Sequence, residues 1–162
     1  MRQWIVVSVF LLGCSSDGIA PYQPVDWNSK PVPSTTIPKE NVQEVPATLQ
    51  ALLKLHNQER GMKGRPALQL DLYLCDYAQQ HAEWMAKNNN LQHSKIADLL
   101  GQYDTVGENI AWNQKSEQEV VTAWMNSSGH RANILNRAFG RVGFGVAYTA
   151  NGQPYWCACF GN

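Results

Sequence analysis

Four cysteines and four histidines carry most of the chemistry open to this chain of 162 residues. Cys157 and Cys159 stand two apart in the apolar run Tyr155-Trp156-Cys157-Ala158-Cys159-Phe160. On an extended backbone they share a face, with Cα atoms roughly 6.6 Å apart and parallel Cβ vectors, near the upper limit for a disulfide. A bond between them is disfavoured. Cys75 falls on the inner stripe of a predicted helix and can meet one of them; Cys157, nearer the middle of the strand, is the expected partner. A Cys75–Cys157 bridge would close a loop of roughly 80 residues, worth on the order of 4 kcal/mol in the chain-entropy model. The alternative is three buried thiols acting as small apolar groups. Among the histidines, His56 with Asn57 and Arg60 reads as a structural hydrogen-bonding set, and His81 as a helix-surface residue. His130 follows Ser127 and Ser128 closely. A serine nucleophile needs a base in reach and an oxyanion hole, and no nucleophile-elbow motif is present. Asn126, Ser127 and Ser128 read instead as caps for the turn that carries His130.

The elements that must position these groups are legible from periodicity. Leu49, Leu52, Leu53 and His56 fall at i, i+3, i+4 and i+7, which predicts a helix from Ala47 to about Met62. Gly61, Gly64 and Pro66 stop it. Asp71 opens a second helix to about Lys87, with Cys75, Ala78, Ala82 and Met85 on its inner stripe and Asn88 to Asn90 at its end. Ser116 and Glu119 form a capping-box pattern at the start of a third helix. A short helical turn from His130 to about Asn136 follows. Asn109 to Trp112 is a plausible strand. Asn151-Gly152 is the favoured pair for a two-residue hairpin turn. In that register Tyr148 opposes Tyr155, Val146 opposes Cys157 and Phe144 opposes Cys159. Both faces of the hairpin are apolar, so the sheet needs cover on both sides. The expectation is an α+β fold: a three-layer α-β-α sandwich around a small, mainly antiparallel sheet.

The N-terminal third has a different character. Met1-Arg2 supplies a positive start, and Trp4 to Leu12 is an uncharged apolar run. It is far short of the roughly 20 residues that a membrane-spanning helix needs, and reads as an export signal. It ends in Leu11-Leu12-Gly13-Cys14, which resembles the lipobox of bacterial lipoproteins, with Leu12 larger than the usual residue before the glycine. The expectation is a signal peptide over 1–14 with Cys14 lipidated, a proline-rich tether over 15–45 and a domain over 46–162. Trp27 is the tether residue best suited to dock on the domain. Lys+Arg and Asp+Glu both number 13, so there is no net charge to drive nucleic-acid binding.

From Pro46 to Asn162 the chain resembles a known family. The residues that carry the likeness are His56-Asn57-Gln58-Glu59-Arg60, His93-Ser94, Gly107-Glu108-Asn109-Ile110 and Trp124 through Leu135. Val142 to Val146 and Tyr155-Trp156 close the set, in order and at the right spacing. Together they are similar to the CAP superfamily of cysteine-rich secretory proteins, antigen 5 and pathogenesis-related 1 proteins, with its bacterial SCP-like members. The resemblance implies an α-β-α sandwich with a central cleft of two His and two Glu. His93, Glu108 and His130 match three of these. Ser127 stands where the second Glu normally lies, which weakens any mechanism needing two carboxylates. No cofactor is required, but His93, His130 and Glu108 are candidate ligands for Zn²⁺ or another divalent metal, with a fourth position left for water. Trp112, just after the Gly-Glu-Asn motif, is a candidate for the cleft lining.

Two functions follow. The first is a non-catalytic binding module for a small ligand (lipid or peptide) or a divalent metal, lipid-anchored at the cell envelope on its extracytoplasmic side, periplasmic or surface-facing. The second is a metal-assisted or acid/base hydrolase acting on an envelope polymer or peptide.

Overall fold

The computed structural model of the chain describes residues 45–162. The expected signal segment, Cys14, Trp27 and nearly all of the tether lie outside the described residues. No helix among the described residues is long and apolar enough to cross a membrane.

Helix α1 (Ala47–Met62) begins after Pro46 and buries Leu52, His56 and Arg60 along one stripe. The segment after it crosses the sheet edge as a two-residue strand, β1 (Gln69–Leu70). Helix α2 (Leu72–Asn88) starts where the Asp71 carboxylate accepts from the backbone N–H groups of Tyr73 and Leu74, and ends where Asn89 turns left-handed. A 3-10 turn (Ile96–Leu99) leads to β2 (Val106–Trp112). Helix α3 (Glu117–Asn126) is capped by the Ser116 hydroxyl, which accepts from Glu119 N, while the Glu119 carboxylate accepts from Lys115 N. Ser127 breaks the chain between α3 and α4 (Ser128–Ile134), and β3 (Arg141–Tyr148) and β4 (Pro154–Gly161) follow.

The four strands form one mixed sheet in the order β1-β3-β4-β2; only the β1–β3 pair is parallel. Helix α2 packs on one face, and α1, α3 and α4 on the other. The expected three-layer sandwich is what forms.

The hairpin register differs from the expectation by one residue. Tyr148 pairs with Pro154, Val146 with Trp156, Gly145 with Cys157 and Gly143 with Cys159. The loop has three residues, not two: Thr149 N donates to Gln153 O and Gly152 N donates to Thr149 O, both at 2.9 Å. Gly152 does take positive φ (+76°), but Asn151 does not, so the turn is the three-residue form with glycine in the left-handed position. Because side chains alternate along a strand, this slip exchanges faces. Phe144 and Val146 join Trp156, Ala158 and Phe160 on the side of α1 and α3, while Cys157 and Cys159 face α2.

On that second face β3 offers Gly143 and Gly145. A Cβ at Gly143 would stand 2.1 Å from Cys75 N and Leu74 C, and one at Gly145 2.4 Å from the Ala78 backbone. Helix α2 therefore rests directly on the sheet backbone. This placement also explains the cysteines. Cys75 lies over Gly143, the partner of Cys159, whereas Ala78 lies over Gly145, the partner of Cys157. The expected Cys75–Cys157 bridge does not form; Cys75, Cys157 and Cys159 are free and buried.

Candidate functional site

The site is built around Glu108 on edge strand β2. The pleat turns its side chain toward the α2 face and turns Asn109, its neighbour, toward α4. The Glu108 side chain is 2% exposed, and its Oε1 accepts from both Ser94 N, at 2.9 Å, and His93 Nδ1, at 2.7 Å. The segment carrying His93 is pinned to α2 by two further bonds: Tyr77 Oη donates to Ser94 Oγ, and His81 Nε2 meets Gln92 O at 2.7 Å. His93 is thus held by its inner nitrogen while the rest of its ring, 61% exposed, faces solvent. Carboxylate and backbone fix the imidazole's orientation, as in sites where a histidine must present one nitrogen outward.

Across β2 the motif residue Asn109 is fully buried and works structurally. Its amide donates to His130 O at 3.0 Å, and Asn133 donates to both Glu108 O and Asn109 Oδ1. These bonds tie α4 to the edge of the sheet. His130 is half-buried on α4; burial lowers its pKa and the nearby His93 lowers it further. The two imidazoles therefore lie within electrostatic reach of each other across β2.

Among the described residues, His93, Glu108 and His130 are not a set of donors that lie within 4.8 Å of one another. His93 Nδ1 and Glu108 Oε1 are a hydrogen-bonded pair at 2.7 Å, whereas two N/O ligands of tetrahedral Zn²⁺ stand roughly 3.3 Å apart. His130 is carried by α4, whose backbone is tied to Asn109 on the other face of the strand, while its imidazole lies within electrostatic reach of His93. Ser127 is the residue at the α3–α4 junction, and its hydroxyl makes no capping bond, contrary to the expectation. Among the described residues, the three donors that do gather, within 4.8 Å of one another, are Glu108, Cys157 and Cys159.

Beside His93 lies an open groove of about 400 Å³, lined by Tyr77, Gln80, His81, Trp84, Gln92, His93, Ser94 and Lys95. The His81 ring stacks on Trp84 with centroids 5.9 Å apart and planes 8° from parallel. Trp84 is 42% exposed. Trp112 does not line this groove; it stacks on Tyr155 instead. The sequence held a signal for the groove: Tyr77, His81 and Trp84 fall at i, i+4 and i+7, a second stripe of α2 beside the apolar one.

His56, Asn57 and Arg60 are structural, as their spacing indicated. The Arg60 guanidinium donates to the carbonyls of Pro66, Ile134, Asn136 and Phe139, and Asn57 exchanges two bonds with the Leu68 backbone. His56 is sealed among Trp124, Phe144 and Phe160, and burial pushes its pKa down to about 4.

Comparison with known proteins places this geometry in context. The model of the cysteine-rich secretory protein (CAP) family matches residues 53–160. The Bacillus subtilis protein YkwD is 36% identical over 134 residues, which span 75% of this chain and 51% of YkwD, so the chain covers about half of that relative's length. An extracellular SCP-domain protein from Bacillus anthracis superposes with a TM-score of 0.61 at 28% identity, over 71% of this chain and 40% of that one. An outer surface protein of Borrelia burgdorferi has the same fold, with a TM-score of 0.64 at 20% identity over 70% of this chain and 90% of its own.

Proposed function

Because this chain belongs to the cysteine-rich secretory protein (CAP) family, we propose that it is an extracytoplasmic binding module, exported by its apolar N-terminal run and held at the membrane through lipidated Cys14. Relatives described as extracellular and as an outer surface protein support the compartment. The stretch from 15 to 45, with five prolines, suits a semi-extended tether. The domain takes a small amphipathic ligand, a lipid chain or peptide, in the groove beside His93. Its volume falls within the usual range of roughly 300–1,000 Å³ for such sites. Trp84 and Tyr77 supply apolar surface; His93 and Lys95 supply polar contacts at one end.

The observation that carries a non-catalytic reading is the state of Glu108. Its Oε1 is taken by His93 and Ser94, and its side chain is shut off from the groove's solvent. It positions the imidazole and is not free to exchange protons with a substrate. Titrating the full chain with a fluorescent fatty acid tests the reading. Saturable binding, weakened about tenfold or more by Trp84→Ala, that is by about 1.4 kcal/mol, is the expected result. Binding that is absent, or untouched by both Trp84→Ala and His93→Ala, overturns it.

One observation favours a second reading, an acid/base hydrolase. A carboxylate-oriented imidazole with its other nitrogen outward is the general-base half of a hydrolytic site. Release of product from envelope polymer or peptide, abolished by His93→Ala and retained in Trp84→Ala, would establish it.

A further inference from the structure

We infer that Glu108, Cys157 and Cys159 form a buried site for a thiophilic divalent cation of the Zn²⁺ class, separate from the groove. Cys159 pairs directly with Glu108 across β4 and β2, and Cys157 is its diagonal neighbour on the same face. The Cys157 and Cys159 sulfurs stand 3.7 Å apart, and Cys157 Sγ stands 3.7 Å from Glu108 Oε2. Two thiolates on tetrahedral Zn²⁺, each at 2.3 Å, are separated by roughly 3.8 Å, and a thiolate and a carboxylate oxygen by roughly 3.5 Å. Two donor–donor edges thus match such a polyhedron, and the third, between Cys159 and Glu108, lies within 4.8 Å.

Three further facts agree. Glu108 Oε2 is buried, and its one partner among the described residues is a weak thiol donor at 3.7 Å. A carboxylate oxygen withdrawn from water calls for a stronger partner, and a cation supplies one. The other oxygen, Oε1, is held by His93 and Ser94, so the ligating carboxylate is oriented from behind, as supporting residues orient metal ligands elsewhere. Finally, the strand geometry opposes a Cys157–Cys159 disulfide, because parallel Cβ vectors roughly 6.6 Å apart at Cα do not meet at bonding distance.

Paired thiolates select soft or borderline ions, and the added carboxylate favours Zn²⁺ over Cu(I). Cys75, over Gly143, lies outside the gathered set.

Cobalt(II) titration of the reduced full chain is the test. Uptake of one equivalent, with a thiolate-to-cobalt charge-transfer band and displacement by Zn²⁺, is expected. Cys157→Ser and Cys159→Ser should each weaken uptake by more than about 100-fold, beyond the usual range for losing a supporting residue, and His93→Ala by about 10- to 100-fold with the band retained. Cys75→Ser should leave uptake unchanged, and Cys159→Ser should leave fatty-acid binding in the groove unchanged. Should the serine variants fail to fold, X-ray absorption of the zinc-loaded wild-type chain decides: two sulfur neighbours at about 2.3 Å are expected. No uptake, uptake without the charge-transfer band, equal loss in Cys75→Ser, or a zinc shell of nitrogen and oxygen alone overturns the inference.

Discussion

The two faces of the sheet are covered by opposite means. On the α1/α3/α4 side the space is filled with large side chains: Trp124, Phe139, Phe144, Trp156 and Phe160 are all buried. On the α2 side the space is removed. Gly143 and Gly145 bring the helix backbone down onto β3, and Ala78, Ala82 and the cysteines complete the contact. The filled face buries its polar groups as permanent structure, with Arg60 spread over four carbonyls. The bare face keeps its polar groups at the rim, where Glu108, His93 and the groove meet. A helix resting on glycine cannot shift toward the sheet, so it makes a rigid wall for Tyr77, His81 and Trp84.

This contrast can be broken from either side. Trp124→Ala should cost the most, about 4 kcal/mol, because it leaves a large void and orphans the Ile110 carbonyl that the indole N–H serves. Urea unfolding measures it, and a loss below about 2 kcal/mol would mean that the filled face collapses more readily than its packing implies. Gly143→Ala should cost about 3 kcal/mol for the opposite reason, since the added methyl meets helix backbone. Unlike Trp124→Ala, it should also disturb the groove; unchanged stability would show that α2 is free to lift.

Acid sharpens the comparison further. His56 on the filled face has a folded pKa of about 4, below its ordinary 6.5, so the unfolded chain binds the extra proton between these values. Stability is then complete above pH 6.5 and falls as pH drops toward 4, by about 2 kcal/mol at pH 5. His56→Leu should flatten that slope in thermal melts, and a slope unchanged by it would assign the acid sensitivity elsewhere. The smallest effect belongs to neither face. Gly152→Ala strains the positive φ of the hairpin turn and should cost about 1 kcal/mol, with fatty-acid binding intact.

The limits of α1 and α2, the Ser116 cap and the existence of the β3–β4 hairpin were all readable from periodicity and local hydrogen-bonding chemistry. Those signals act over a few residues. The hairpin register was not readable, because Asn151-Gly152 suits both a two-residue and a three-residue loop, and the choice depended on how β3 meets α2. Only the observed register puts Gly143 and Gly145 under the helix; the other would place Phe144 and Val146 there. The Cys75–Cys157 expectation rested on Cys157 standing nearer the middle of its strand; Cys75 instead lies over Gly143, at the level of Cys159.

The candidate site divides in the same way. His93, Glu108 and His130 stood out through family resemblance, and the role of His56, Asn57 and Arg60 through helical spacing. That Glu108 would face two cysteines, and that the α4 backbone would be tied to the other face of β2, followed from strand pleat and strand order. Local sequence therefore determined which elements form and where they end, since caps and apolar stripes act within one chain segment. Tertiary structure decided which residues share a face and a site, since a strand offers two equal faces until its partner and the helix above it are in place.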